Sequence, residues 1–172
     1  MAKQHVMSQA KIDRPVEILL VEDNPGDVRL TREAFKEARL ASRLTVVSDG
    51  VEALAFLRQQ GKFTGAATPD MILLDLNLPK KSGLEVLADV KRDNHLRRTP
   101  VVVLSTSCAE KDVRRSYELH ANCYISKPVD LETFIGVLHS IEEFWLRKVA
   151  LPSAADGVMR HGDERGLIEA SD

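Results

Sequence analysis

Five short apolar runs alternate with stretches of helical periodicity, and this alternation limits the possible folds more than any other feature of the chain. The runs are rich in Val, Ile and Leu and are nearly continuous in apolar character, as is typical of strands covered on both faces. Repeated strand–helix units favour an open parallel sheet with helices on both faces, a doubly wound α/β fold. The predicted strands are Val16–Val21, Leu44–Val47, Met71–Leu74, Val101–Leu104 and Cys123–Ile125.

The stretches between the strands carry apolar residues at helical spacing. The first predicted helix begins near Pro25, because proline suits the first helical turn, and extends towards Arg39. The other four are predicted after Asp49-Gly50, after Ser82-Gly83, over about Ala109 to Leu119, and from Leu131 to about Val149.

The length of 172 residues suits one domain, and the pattern places it at residues 15–152. Residues 1–14 and 153–172 lie outside the repeats, and their polar composition predicts flexible extensions. The residues after 150 are too few for an additional DNA-binding domain. The chain therefore reads as a single domain without an output domain.

Charge and composition argue against several classes of partner. The net charge of -2 gives no general attraction to nucleic acid or to anionic membranes. No apolar run approaches the roughly 20 residues that a spanning helix needs, and residues 1–14 lack the apolar segment of a signal peptide. The two cysteines, Cys108 and Cys123, are too few for a disulfide framework or a zinc site. We expect a cytoplasmic protein.

Polar residues follow four of the five predicted strands at the point where each strand ends. Glu22 and Asp23 follow the first strand, Asp75 the third, Ser105 the fourth, and Lys127 comes shortly after the fifth. In an open parallel sheet, ligands bind at the carboxyl ends of the strands. We therefore expect three carboxylates, a hydroxyl and an ammonium at one edge of the sheet.

These residue types suit the transfer of a phosphoryl group. Clustered carboxylates repel one another unless a hard cation neutralises them, and oxygen ligands suit Mg²⁺. Asp75, flanked by apolar residues, is the candidate nucleophile, with Glu22 and Asp23 as metal ligands. Lys127 can pair with the phosphoryl group, and the Ser105 hydroxyl can hydrogen-bond one of its oxygens.

The sequence resembles the receiver domain of two-component response regulators over about Val16 to Val149. The resemblance implies the flavodoxin-like fold with strand order 2-1-3-4-5. It also implies a switch that accepts a phosphoryl group from a histidine kinase, turns over no external substrate, and so is not an enzyme in the usual sense. The motifs that carry it are ILLVEDN (Ile18–Asn24), ILLDLNLP (Ile72–Pro79), SGLEVL (Ser82–Leu87), VVVLSTS (Val101–Ser107) and YISKP (Tyr124–Pro128).

The resemblance assigns roles to individual positions. Asp75 is implied to be the phosphorylated aspartate, with Glu22 and Asp23 as the acidic pair, and Asn77 is implied to offer its backbone carbonyl to Mg²⁺. Ser105 matches the switch hydroxyl and Lys127 the phosphoryl-binding lysine. The Lys127–Pro128 peptide bond is implied to be cis, and Tyr124 matches the aromatic residue that turns inward on activation.

A narrower resemblance joins the chain to the stand-alone response regulators that are paired with bacterial and cyanobacterial phytochromes. Its motifs are DNPGDVRLTREAF (Asp23–Phe35) and FWLRKVALP (Phe144–Pro152). It implies a phytochrome-type kinase as partner and a homodimer built on the last helix and strand. Helical spacing predicts core positions at Leu131, Phe134 or Ile135, Leu138, Ile141 and Trp145, with Val137, Phe144 and Leu146 as an apolar surplus. The predicted dimer interface is Val137, Ile141, Phe144, Trp145 and Leu146.

Three alternative functions compete with the receiver interpretation, and the residues at particular positions argue against the first two. A phosphatase of the haloacid dehalogenase type needs a second Asp two positions after the nucleophile, where this chain has Asn77. A flavodoxin needs a Ser/Thr/Gly phosphate loop after the first strand, where this chain has Glu22-Asp23-Asn24. A degenerate receiver would act only as a constitutive dimerisation or binding module.

Overall fold

The computed structural model describes residues 14–37 and 41–152. Residues 1–13 of the predicted amino-terminal extension, the predicted carboxy-terminal extension at 153–172, and the predicted helix end near Arg39 lie outside the described residues. The strands are β1 (Val16–Val21), β2 (Ser42–Val47), β3 (Met71–Leu74), β4 (Val101–Ser105) and β5 (Cys123–Ser126). The α-helices are α1 (Pro25–Lys36), α2 (Gly50–Leu57), α3 (Gly83–Arg92), α4 (Glu110–Glu118) and α5 (Leu131–Ile141).

The strands form one parallel sheet in the order β2-β1-β3-β4-β5, which confirms the predicted flavodoxin-like fold. Consecutive residues of a strand point to opposite faces, so each strand contributes to two cores. Leu19, Ile72 and Val103 pack beneath α2 and α3 on one face. Ile18 and Leu73 pack beneath α1 and α5 on the other. Coverage of both faces explains why these runs read as continuously apolar.

Short polar residues start the helices close to the carboxyl ends of the strands. Asn24 accepts hydrogen bonds from the first turn of α1, and Asp49 accepts one from the first turn of α2. Ser82 forms a reciprocal capping box with Glu85 at the start of α3. Each cap satisfies backbone amides that have no partner within the helix. The loops that carry the site are thereby anchored at both ends.

The last helix departs from the predicted spacing. After α5 the chain continues as a π-helical turn over Glu142–Leu146, in which the hydrogen-bond spacing is five residues. Leu146, five residues after Ile141, is therefore the buried residue, and Trp145 is only half-buried. The prediction of Trp145 as core and Leu146 as surplus is wrong because it assumed uniform α-helical spacing. Leu131, also predicted as core, is 56% exposed at the first position of α5.

The amino-terminal boundary also differs by one residue from the prediction. Arg14, placed in the flexible extension by sequence, donates two hydrogen bonds to Asp70, at 2.7 and 2.8 Å. Asp70 is buried and also accepts a 2.8 Å hydrogen bond from the amide of Glu17. Arg14 therefore belongs to the folded domain. Within the described ranges, none of the helices is long and apolar enough to cross a membrane.

Candidate functional site

Three carboxylates lie together at the carboxyl edge of the sheet because β1 and β3 are neighbours. Val21 and Leu74, the last residues of these strands, are paired in register, and the amide of Asp75 donates a 3.0 Å hydrogen bond to the carbonyl of Val21. Glu22 and Asp75, which directly follow these two strands, therefore lie side by side. One carboxylate oxygen from each of Glu22, Asp23 and Asp75 lies within 4.8 Å of the others.

This donor set fits a hard divalent cation. Glu22 and Asp75 are buried, while Asp23 is exposed at the mouth of the site, so a cation there would have both protein oxygens and water as ligands. Burial raises the pKa of Glu22 to about 7, although its hydrogen bond with Lys127 opposes that rise. Buried carboxylates this close together need positive charge nearby.

Lys127 supplies that charge within the protein. Its ammonium donates hydrogen bonds to Glu22 at 2.5 Å, to Asp27 at 2.9 Å and to Asp75 at 3.2 Å. Burial alone would lower the pKa of Lys127, but the hydrogen bond and charge of Glu22, with those of Asp27 and Asp75, outweigh burial and raise the pKa above its ordinary value. Lys127 is therefore a permanent cation that touches the candidate nucleophile.

Asp27 is a member of this cluster that the sequence reasoning did not assign. It lies in the first turn of α1, one helical turn after Asp23. The available signal was its position within the motif Asp23–Phe35, but nothing in the sequence shows which residue of a helical turn faces Lys127. The contact depends on where the first turn of α1 lies relative to the loop after β5, which only the tertiary structure determines.

The loop after β3 holds Asp75 in place. The amide of Asn77 donates to a carboxylate oxygen of Asp75 at 3.1 Å, and the amide of Gly83 donates to the carbonyl of Leu76 at 2.9 Å. A Cβ at Gly83 would lie 2.1 Å from the carbonyl oxygen of Asp75. The start of α3 therefore packs directly on the backbone of Asp75, and only glycine permits that approach.

The predicted switch residues lie on the neighbouring strands. Ser105 is the last residue of β4 and is fully buried; its hydroxyl accepts a 3.2 Å hydrogen bond from the amide of Ser107. Tyr124 on β5 is half-buried, and its hydroxyl donates a 2.7 Å hydrogen bond to the carbonyl of Ser107. The amide of Lys127 donates to the carbonyl of Ser105 at 2.7 Å. The Ser105 hydroxyl, the Tyr124 hydroxyl and the Lys127 amide are thus all hydrogen-bonded to the short segment Ser105–Ser107.

The predicted cis bond is absent. Neither described range contains a cis peptide bond, so the Lys127–Pro128 bond is trans and the prediction is wrong for this structure. Trans is the intrinsically favoured isomer of an X–Pro bond, by about 0.5–1 kcal/mol.

The residues predicted for a dimer interface divide into two groups. Ile141 and Leu146 are buried in the core of their own subunit, so their assignment to an interface is wrong. Phe144 is 53% exposed, and it contacts Trp145 edge to face with ring centroids 5.8 Å apart. Val137 and Trp145 are half-buried.

The sequence profile of the response regulator receiver domain matches residues 18–139. This chain belongs to the response regulator receiver family. Response regulator Rcp1 of Synechocystis sp. is 50% identical over 140 residues, which cover 81% of this chain and 95% of the relative. The match includes nearly the whole of that relative.

Solved structures of response regulators agree in fold. The Mn²⁺-bound form of Rcp1 has a TM-score of 0.80 at 50% identity and covers 81% of this chain and 100% of that one. The phosphorylated cyanobacterial phytochrome response regulator RcpA has a TM-score of 0.80 at 51% identity, with the same coverage. The bacteriophytochrome response regulator AtBRR has a TM-score of 0.62 at 44% identity and covers 77% and 96%.

These likenesses confirm the receiver family, the fold and the signalling role predicted from sequence. This receiver is similar, over nearly the whole length of each, to response regulators that include a cyanobacterial phytochrome response regulator and a bacteriophytochrome response regulator. As a member of the family it is a signalling switch. The phosphatase and flavodoxin alternatives have no support.

Proposed function

We propose that this response regulator accepts a phosphoryl group on Asp75 from the phosphohistidine of a sensor histidine kinase of the phytochrome type. The observation that carries the proposal is the buried carboxylate of Asp75 in contact with the Lys127 ammonium and beside two further carboxylates. The names of the relatives support the choice of kinase, because one is a phytochrome response regulator and another is a bacteriophytochrome response regulator. Such transfer belongs in the cytoplasm, where we place the protein.

In the proposed transfer, a carboxylate oxygen of Asp75 forms a bond to phosphorus while the P–N bond of the phosphohistidine breaks. The imidazole leaves as a neutral base once it is protonated on its other nitrogen. Lys127 is placed to neutralise charge on the phosphoryl oxygens, and burial of Asp75 strengthens that interaction. The chain acts on itself and releases no product from an external substrate, so we do not class it as an enzyme.

Glu22, Asp23 and Asp75, with the backbone carbonyl of Asn77, would hold the divalent cation. Three carboxylate ligands and an exposed side of the site favour Mg²⁺, which retains several waters. When bound, the cation would supply charge neutralisation for the phosphoryl oxygens. The Mn²⁺-bound structure of Rcp1 supports a divalent metal at such a site.

The switch would act through Ser105 and Tyr124. An aspartyl phosphate adds nearly two negative charges and three strong acceptors, enough to bias a two-state element. Ser105 ends β4, the strand that pairs with β3 and so lies next to Asp75 at the edge of the sheet, and the Tyr124 hydroxyl donates to the carbonyl of Ser107, two residues after Ser105. NMR of the Tyr124 ring before and after phosphorylation tests this role, and an unchanged ring environment would refute it.

We also propose that the receiver forms a homodimer through the exposed apolar side of its last helix. Phe144, Trp145 and Val137 are the interface residues that remain after Ile141 and Leu146 are assigned to the core. Light scattering should give the mass of a dimer, and Phe144→Ser should shift it towards the monomer. Val51→Ser, which removes a similarly exposed apolar residue from α2, is the control. A monomer at high concentration, with and without phosphorylation, would refute the dimer.

Intact mass after incubation with acetyl phosphate and Mg²⁺ tests the acceptor. The wild type should gain one phosphoryl group, and Asp75→Asn should gain none. If neither gains mass while both are folded, the same measurement with a phytochrome-type kinase and ATP decides between strict kinase dependence and a degenerate receiver. Gain of mass by Asp75→Asn would place the acceptor elsewhere. The net charge of -2 gives no general attraction to nucleic acid or to anionic membranes, so we propose neither as a partner.

A further inference from the structure

Asp27 contacts the phosphoryl-binding lysine but lies outside the group of carboxylates that could share a cation. Its carboxylate oxygen accepts a 2.9 Å hydrogen bond from the Lys127 ammonium. That distance is shorter than the 3.2 Å between Lys127 and Asp75. The cation-binding geometry is met by Glu22, Asp23 and Asp75, without Asp27.

The backbone of Asp27 is held firmly. Asn24 caps α1 and accepts a 3.1 Å hydrogen bond from the amide of Asp27, and the hydroxyl of Thr31 donates to the carbonyl of Asp27 at 2.8 Å. The side chain of Asp27 is 26% exposed, whereas that of Lys127 is 4% exposed. A fixed carboxylate at the rim of the site therefore holds the end of an otherwise buried lysine.

The ammonium of lysine has three N–H donors, and here each has a carboxylate acceptor: Glu22, Asp27 and Asp75. A divalent cation at the acidic cluster would interact with the Glu22 carboxylate, and the interaction of Glu22 with Lys127 would become weaker. Phosphorylation would change the charge at Asp75 as well. Of the three acceptors, Asp27 alone neither belongs to the group of carboxylates that could share the cation nor receives the phosphoryl group.

We infer that Asp27 is a positioning residue that keeps the Lys127 ammonium directed at Asp75 during phosphoryl transfer. This inference rests on the proposed acceptor function of Asp75. Asp27 does not touch the phosphoryl group; it acts by restricting where a flexible side chain places its charge. A lysine side chain has several freely rotating bonds, so a second anchor reduces the cost of holding the ammonium in the reactive geometry.

The test compares the rates at which variants gain a phosphoryl group from acetyl phosphate at saturating Mg²⁺, followed by intact mass. Asp27→Ala removes the anchor and should slow the reaction about tenfold, the effect of about 1.4 kcal/mol on a barrier. Asp27→Asn keeps an oxygen acceptor without the charge and should fall between wild type and Asp27→Ala. Asp27→Ser, whose hydroxyl is too short to reach Lys127, should match Asp27→Ala and replaces it if that variant does not fold.

Two controls separate positioning from charge and stability. Glu33→Ala removes an exposed carboxylate from the same helix, away from the site, and should leave the rate unchanged. In a Lys127→Ala background, Asp27→Ala should change the rate less than about twofold, because a residue that acts through Lys127 has nothing left to position.

The outcomes are distinct. Failure of the wild type to gain a phosphoryl group from either acetyl phosphate or a kinase would refute the acceptor function. If the wild type gains a phosphoryl group and Asp27→Ala gains it at the same or a higher rate, the positioning role alone is refuted. An equal loss with and without Lys127 would also refute it, since Asp27 would then act by another route.

Discussion

Substitution of Gly83 by alanine tests the close packing between α3 and the acceptor loop. The added Cβ would lie 2.1 Å from the carbonyl oxygen of Asp75 and 2.6 Å from the Cα of Leu76. Comfortable contact requires about 3.5 Å, so the helix or the loop must move by more than about 1 Å. Both nearest atoms are backbone, which cannot rotate away.

Overpacking of this kind costs about 1–3 kcal/mol. For a domain of this size, that loss corresponds to a fall in Tm of about 3–10 °C. The shift would also displace Asp75 from Lys127, and displacement by about 1 Å can slow a reaction on the order of a hundredfold. Gly83→Ala should therefore lower both the Tm and the rate of phosphorylation by acetyl phosphate.

Gly136→Ala is the matched control. Gly136 lies within α5, and a Cβ there would meet no atom within 4 Å. Alanine in a helix is favoured over glycine by about 0.5–1 kcal/mol, so this variant should gain stability. Thermal unfolding followed by circular dichroism gives the Tm of both variants. A Gly83→Ala protein as stable and as reactive as the wild type would refute the argument that α3 packs on the acceptor backbone.

Three further predictions concern single interactions. Arg14→Ala leaves the buried carboxylate of Asp70 without its charged partner and should lower the free energy of unfolding by about 1–3 kcal/mol in urea titration, whereas an unchanged value would mean that Arg14 lies free in solution. Tyr124→Phe removes the hydrogen bond to the Ser107 carbonyl and should cost about 1 kcal/mol by the same assay, and no cost would mean that this bond is not formed in solution. The pKa of Glu22 is raised from 4.5 to about 7 by burial, so without metal its contribution to stability is present below about pH 4.5 and is lost as the pH rises through about 7. The rise in Tm on adding Mg²⁺ should consequently be larger at pH 8 than at pH 5, and an equal rise would contradict binding of the ion at this carboxylate.

The sequence was sufficient to predict the fold and to identify most of the residues that the structure brings together in the candidate site. Continuous apolar runs separated by helical spacing identify a parallel sheet, because only a sheet covered on both faces needs strands without a polar side. The carboxyl ends of such strands meet at one edge, so Glu22, Asp75 and Lys127 could be brought together without coordinates. Family motifs then assigned their roles.

Hydrogen bonding accounts for two of the differences. The π-helical turn at Glu142–Leu146 changes the spacing of the last helix, and a periodic pattern of apolar residues does not reveal where such a turn is inserted. Arg14 precedes the first strand and looked like part of a polar extension, yet its pairing with a buried carboxylate far along the chain secures it.

The sequence by itself determined which residues form strands and helices and which polar residues lie at the ends of the strands. Spacing and side-chain chemistry are properties of short segments, so they can be evaluated without the fold. The tertiary structure alone decided that Asp27 reaches Lys127, that Leu146 replaces Trp145 in the core, and that Gly83 abuts the backbone of Asp75. These contacts depend on the rotation and offset of each helix on the sheet. That placement is set by the packing of all the elements together, to within fractions of an ångström, and no short segment contains it.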